Sequence, residues 1–191
     1  MDPSSTKARL LEAATQVFLA QGFAAASMDM VRQEAGVSNG SLYHHFPTKA
    51  QLADALYAQL LRDLHATLFV QLGPRVGAQN GVKALIRSYV QWVLQHPGGA
   101  RLLHELRRIG ALGEGREWTQ ANAEGFGRLG QWIDAKVAAG EMRELPLPVW
   151  NALVFGPAIA LTPHWVSQPE PAVPAKVRAA LEHGAWMAVA P

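Results

Sequence analysis

Residues 27–49, SMDMVRQEAGVSNGSLYHHFPTK, read as two short helices joined by a tight turn and followed at once by the start of a third. Ser27 is placed to cap the first helix, in which Met28, Val31 and Ala35 recur at helical spacing. Gly36 then supplies the residue that tolerates a left-handed helix end. Ser38 caps a second helix with Leu42 and Phe46 on one face, which leaves Asn39, Gly40, Ser41, Tyr43 and His44 spread over the rest. Pro47 disfavours helical geometry at Phe46, and Thr48-x-x-Gln51 is a capping box that opens the next helix. Lys49 falls in the positively polarised first turn of that helix, which predicts a site for phosphate.

A helix carrying Gly40 near its start lets backbone approach a groove wall, and Asn39 and Ser41 have short groups able to reach base edges. Tyr43, His44, His45 and Lys49 suit phosphate oxygens. With Ser27 and Ser38, these seven make the candidate DNA-contacting set. Periodicity alone leaves a second possibility open, a three-helix packing unit that meets no nucleic acid.

The longer stretch AGVSNGSLYHHFPTKAQL, residues 35–52, preceded by FLAQGFAAAS at residues 18–27, resembles the tetracycline-repressor (TetR/AcrR) family of bacterial transcriptional regulators. The resemblance spans about residues 7–60. It joins Gly22-Phe23, the Ala35-Gly-Val-Ser38 turn, the Leu42-Tyr-His-x-Phe46 helix and Lys49-x-x-Leu52 at the family's spacing. The family often has Lys or another long polar residue where Asn39 stands, so one charged groove contact is missing here. The resemblance implies an all-α protein of about nine helices. Residues 1–50 would be a three-helix helix-turn-helix DNA-binding domain, and residues 51–191 a helical effector-binding and dimerisation domain. It further implies a cytoplasmic homodimer on a palindromic operator, acting as a repressor released by a small hydrophobic or aromatic effector. A shift of the fourth helix would change the separation of the two recognition helices.

Composition agrees with a folded helical protein: 49% of the 191 residues are hydrophobic and the formal net charge is only +2. Cysteine is absent, which excludes disulfides, thiolate metal sites and cysteine nucleophiles. The N-terminal sequence lacks the pattern of an export signal, and the longest apolar run, Ala152 to Leu161, is short and contains Gly156 and Pro157. Through Leu52, Lys7, Arg9, Arg32 and Lys49 are balanced by Asp2, Glu12, Asp29 and Glu34. The salt dependence of DNA binding should therefore be shallow, with helix N-termini and hydroxyls doing more of the positioning. Partial protonation of His44 and His45 beside phosphate would add to it.

Along the chain, Ser5 to Gln21 forms the first helix, with Leu10, Ala14, Val17 and Phe18 as its inward stripe and Gly22 at its end. The fourth, Thr48 to about Gln71, carries Leu52, Leu56, Leu60, Leu64 and Leu68, and would be about 35 Å long at about 1.5 Å per residue. A fifth helix opens at Asn80 or Gly81 and runs through Gln95; Pro97-Gly98-Gly99 marks a break before a sixth, Ala100 to Ile109. Gly110, Gly113 and Gly115 mark a loop, and the seventh helix extends from about Arg116 to Ala139. The eighth, about Val149 to Trp165, contains Pro157 and Pro163, each of which should kink it or end it early. The ninth runs from about Ala175 to Ala188. Ala152, Gly156 and Ala160, with Ala180, Gly184 and Ala188, give the last two helices small residues for close packing, within the chain or, as the resemblance implies, against their copies in a second subunit.

No catalytic apparatus emerges. Gly125-Phe-Gly-Arg-Leu-Gly130 fits G-x-G-x-x-G, but it lies in helical sequence with Trp150 where an acidic residue is needed, so close helix packing explains its glycines better. His104-Glu105 lacks the second histidine of a zinc motif, because Arg108 stands there. Neither a cofactor nor a metal is expected, and no enzyme. The family's effector cavity lies among helices four to eight, which maps onto Leu61, Leu64, Trp92, His96, Leu103, His104, Trp118, Asn122, Phe126 and Phe155. The competing expectation is a small-molecule-binding or catalytic helical protein that has lost DNA recognition.

Overall fold

A computed structural model describes residues 3–110 and 115–191, and every regular element among them is an α-helix. In chain order these are α1 (Pro3–Ala25), α2 (Met28–Ala35), α3 (Asn39–His45), α4 (Lys49–Phe69), α5 (Ala78–Gln95), α6 (Pro97–Arg108), α7 (Arg116–Ala138), α8 (Leu147–Val166) and α9 (Ala175–Met187). The all-α architecture is the expected one. Gly113, assigned to the loop before α7, lies outside the described residues.

The chain divides into two compact units, each built from two stretches of sequence. The first unit comprises Met1–Leu61 together with Arg101–Asn122; the second comprises Arg62–Ala100 and Ala123–Pro191. Leu102 and Leu106 of α6 are buried in the first unit's core, and the first turn of α7 is hydrogen-bonded to α4.

In the first unit α1 braces α2 and α3, and the stripe Leu10, Ala14, Val17 and Phe18 is buried as its spacing predicts. Val31, Leu42, Phe46, Leu52 and Leu56 close the same core, at about 1.5–3 kcal/mol for each large apolar side chain removed from water. Gly22 interrupts α1 with φ 74° and ψ 155°, a conformation other residues rarely adopt, and one further turn follows it.

In the second unit α5, α8 and α9 pack against one another. Trp92 and Trp150 are fully buried, Phe155 lies 6.1 Å from Tyr89 and 6.4 Å from Trp150 between ring centroids, and Arg87 of α5 pairs with Glu182 of α9 at 2.7 Å. Gly81 is required here, because a Cβ on it would lie 2.3 Å from the Trp132 ring. Gly125 likewise leaves room for the His65 imidazole, which a Cβ would meet at 2.2 Å, so this glycine of the G-x-G-x-x-G stretch serves packing.

The helices differ from expectation at several points. α5 starts at Ala78, because the Glu141 carboxylate accepts the Ala78 N–H at 2.7 Å and supplies the cap that Gly77 lacks. α6 starts at Pro97, whose missing N–H is no loss in a first turn. α8 runs as one helix through Pro157 and Pro163, and neither ends it. Each proline removes a single backbone bond, while Trp150, Val154, Ala158, Thr162 and Trp165 anchor the buried side throughout.

Candidate nucleic-acid interface

Two capped helices and the turn between them present α3. Ser27 accepts the Met30 N–H at 3.2 Å to start α2. At the other end Gly36, with φ 61° and ψ 41°, turns the chain: its N–H donates to Gln33 O at 3.1 Å, and the Val37 N–H donates to Arg32 O at 3.2 Å. This pair of bonds satisfies two end carbonyls of the helix. Ser38 then caps α3 by accepting the Ser41 N–H at 3.2 Å. Phe46 ends α3 in extended geometry, at φ −137° and ψ 92°, as the following proline demands.

α3 is anchored by Leu42 and Phe46, both buried, while Asn39, Gly40, Tyr43 and His44 are exposed and Ser41 and His45 are half-buried. Half of the Tyr43 surface, 50%, is open to solvent. Gly40 is informative because a Cβ on it would meet nothing within 4 Å, so nothing in the chain's own packing calls for glycine there. A smooth, unobstructed start to α3 makes sense if another molecule comes close to it.

The basic residues of this region are all engaged within the chain. Lys49, expected at a phosphate, is engaged inside the chain: its ammonium donates to Phe23 O and Ala26 O at 2.8 Å each and to Ala24 O at 3.3 Å, and sits 4.6 Å from the Phe23 ring centroid. Three donors meeting three carbonyls leave none over, and the cation is favoured at this helix end. Arg9 donates to Ala35 O and Gly36 O at the end of α2. Arg32 is held by Asp29 at 2.8 Å, and Asp29 also accepts from Gln33 at 2.6 Å. Lys7 pairs with Glu117 at 3.3 Å. Structure thus reinforces the neutral charge balance of the head.

The ten residues assigned to an effector are divided between the two units. Leu61, Leu103 and Trp118 pack into the core of the first unit beside α1 to α4. His104 and Asn122 belong to that unit too and are half-buried. In the second unit Leu64 and Phe155 are buried, Phe126 is half-buried and His96 is exposed. Trp92 donates its indole N–H to Asp63 at 2.7 Å and lies 5.3 Å from the His96 ring.

Residues 10–56 match the model of the family described as bacterial regulatory proteins, tetR family. Those residues are a TetR-family segment. Over 72 residues it is 33% identical to the HTH-type transcriptional regulator SrpR of Pseudomonas putida, covering 38% of this chain and 34% of that one. Identity to the HTH-type regulator TtgW of Pseudomonas putida is also 33% over 72 residues, covering 38% of this chain and 54% of TtgW. The matched regions thus span about a third and about half of those curated relatives. Likeness to a solved tetR family transcription regulator from Shewanella sp. PV-4 extends over 97% of this chain and 98% of that one, with 27% identity and a TM-score of 0.82. α2, the Gly36 turn and α3 lie within the matched residues and form their helix-turn-helix.

Asp54 is a residue that sequence reasoning missed. Buried in α4, it accepts the Glu117 N–H at 3.2 Å and the Trp118 N–H at 3.0 Å, and so caps α7 from a distance. The available signal was Gly115, which stands where α7 needs a capping side chain and has none.

Proposed function

We propose that this chain is a homodimeric transcriptional regulator, a repressor, that reads a palindromic DNA site with α3 and leaves it when a small hydrophobic or aromatic compound binds. The observation that carries the reading is the unobstructed outer face of α3, where Asn39, Gly40 and Tyr43 are exposed and Gly40 has no intramolecular reason to be glycine. Base contacts fall to Asn39 and Ser41, while Tyr43, His44 and His45 reach phosphates.

Dimerisation is supported by the outer faces of α8 and α9. Val149, Leu153, Ile159 and Leu161 on α8 and Met187 on α9 are exposed large apolar residues, beside exposed Ala152, Ala160, Ala180 and Gly184. A Cβ on Gly156 or Gly184 would meet nothing within 4 Å, so close packing inside the chain does not explain these glycines. A second copy laid on these faces would present two α3 helices about 34 Å apart, matching successive major grooves. For the effector, the aromatic interior of the second unit is the better candidate. The buried indole N–H groups of Trp132 and Trp150 have no acceptor among the described residues, and an effector oxygen would supply one.

Fluorescence anisotropy against the gene's own upstream DNA tests the reading. Asn39→Ala combined with Tyr43→Ala should weaken binding at least about tenfold with the circular dichroism unchanged. One observation favours the rival, a helical small-molecule binder without DNA recognition: all four head cations are held within the chain. Indifference to the double substitution supports that rival.

A further inference from the structure

α7 follows Gly115, which has no side chain to offer its first turn, and the Asp54 carboxylate takes that place by accepting the N–H groups of Glu117 and Trp118. The fit is steric as well as polar. A Cβ at position 115 would lie 2.2 Å from Asp54 Oδ1 and 2.4 Å from its Cγ, so only glycine there lets the carboxylate in. The same turn is held at two further points: Glu117 pairs with Lys7 of α1 at 3.3 Å, and the Trp118 ring stands edge-on to Tyr57 of α4 at 6.4 Å. Asp54 and Tyr57 sit within the first three turns of α4, the helix that follows α3 after only Phe46, Pro47 and Thr48.

We propose that Asp54 is a positioning residue for DNA reading: by gripping the first turn of α7 it fixes the setting of α4, and with α4 that of the recognition helix. The inference rests on the regulator reading, and it assigns a task to a carboxylate that has no other part in that reading. An ordinary structural cap would do its work equally well if it came from α7 itself, which gives the means to separate the two.

The test uses a duplex recovered by selection from random DNA. Asp54→Ala removes the grip, and Gly115→Ser in the same chain gives α7 a cap of its own, with the Trp118 ring edge yielding, since a Cβ would lie 2.8 Å from it. The double variant should regain most of the thermal stability lost by Asp54→Ala and still bind the duplex at least about tenfold more weakly than the unaltered chain. In the unaltered chain, the amide protons of Glu117 and Trp118 should exchange more slowly once the duplex is bound, because linkage is reciprocal. That measurement decides the matter even if a variant fails to fold. Duplex affinity restored along with stability, or amide exchange that ignores the duplex, overturns the proposal while leaving the regulator reading intact. An unaltered chain that selects no sequence overturns both.

Discussion

α2, α3 and α4 are capped from within their own sequence, whereas α5 and α7 are capped from far away. Ser27, Ser38 and Thr48 each accept the N–H three residues on, all at 3.2 Å. α5 and α7 instead follow Gly77 and Gly115, and depend on Glu141 and Asp54, each 63 residues distant from an amide it accepts. The helix-turn-helix therefore has its boundaries written locally, while the later helices acquire theirs only once distant parts of the chain have met. Local caps define a rigid reading head. Remote caps bind one helix to another, so that their strength reports on how those helices are set.

The sharpest way to probe the second arrangement is through its core. Trp150→Ala, at a fully buried position, should lower the unfolding free energy by about 3–5 kcal/mol in urea titration. Asp54→Ala comes next, at about 1–2 kcal/mol, since two amides lose their acceptor together. Ser38→Ala should cost about 1 kcal/mol or less, because its single bond is exposed to water. An equal loss for Asp54 and Ser38 would erase the distinction between remote and local caps.

Acid distinguishes the remote caps further. The Ala78 N–H, helped by the Lys136 ammonium, holds the Glu141 carboxyl below the usual carboxylate range. Its folded pKa is thus lower than its unfolded one, so its contribution is complete above the ordinary value of about 4.3 and disappears as pH falls through the folded value. The urea midpoint of the intact chain should consequently fall more steeply below that range than the midpoint of Glu141→Gln. Parallel acid profiles would remove Glu141 from the account. The smallest effect expected is that of salt on DNA binding: with the head cations engaged inside the chain, the slope of log Kd against log salt should correspond to no more than about two phosphate contacts. A steep slope would mean that these ion pairs open on DNA.

How much could be read beforehand follows the same division. The inward stripe of α1, the caps of α2 and α3 and the Gly36 turn were legible because each depends on residues a few positions apart. The carbonyl partners of Lys49 were not legible, because Phe23 O, Ala24 O and Ala26 O lie 23 to 26 residues back, and first-turn electrostatics alone favours a phosphate. The starts of α5 and α7 required Glu141 and Asp54, which no local pattern connects to them. Pro97-Gly-Gly looked like a break, yet proline in a first turn helps a helix begin. Apolar periodicity does not separate a residue lining a ligand from one lining a core, and Leu61, Leu103 and Trp118, assigned to an effector, pack into the core of the first unit.

The central claim, that α3 reads a sequence in duplex DNA, is tested most directly by selecting bound molecules from a pool of random duplexes. The account predicts enrichment of a palindrome whose half-sites are centred about one helical turn, roughly 34–36 Å, apart. A folded chain that enriches no sequence would contradict it.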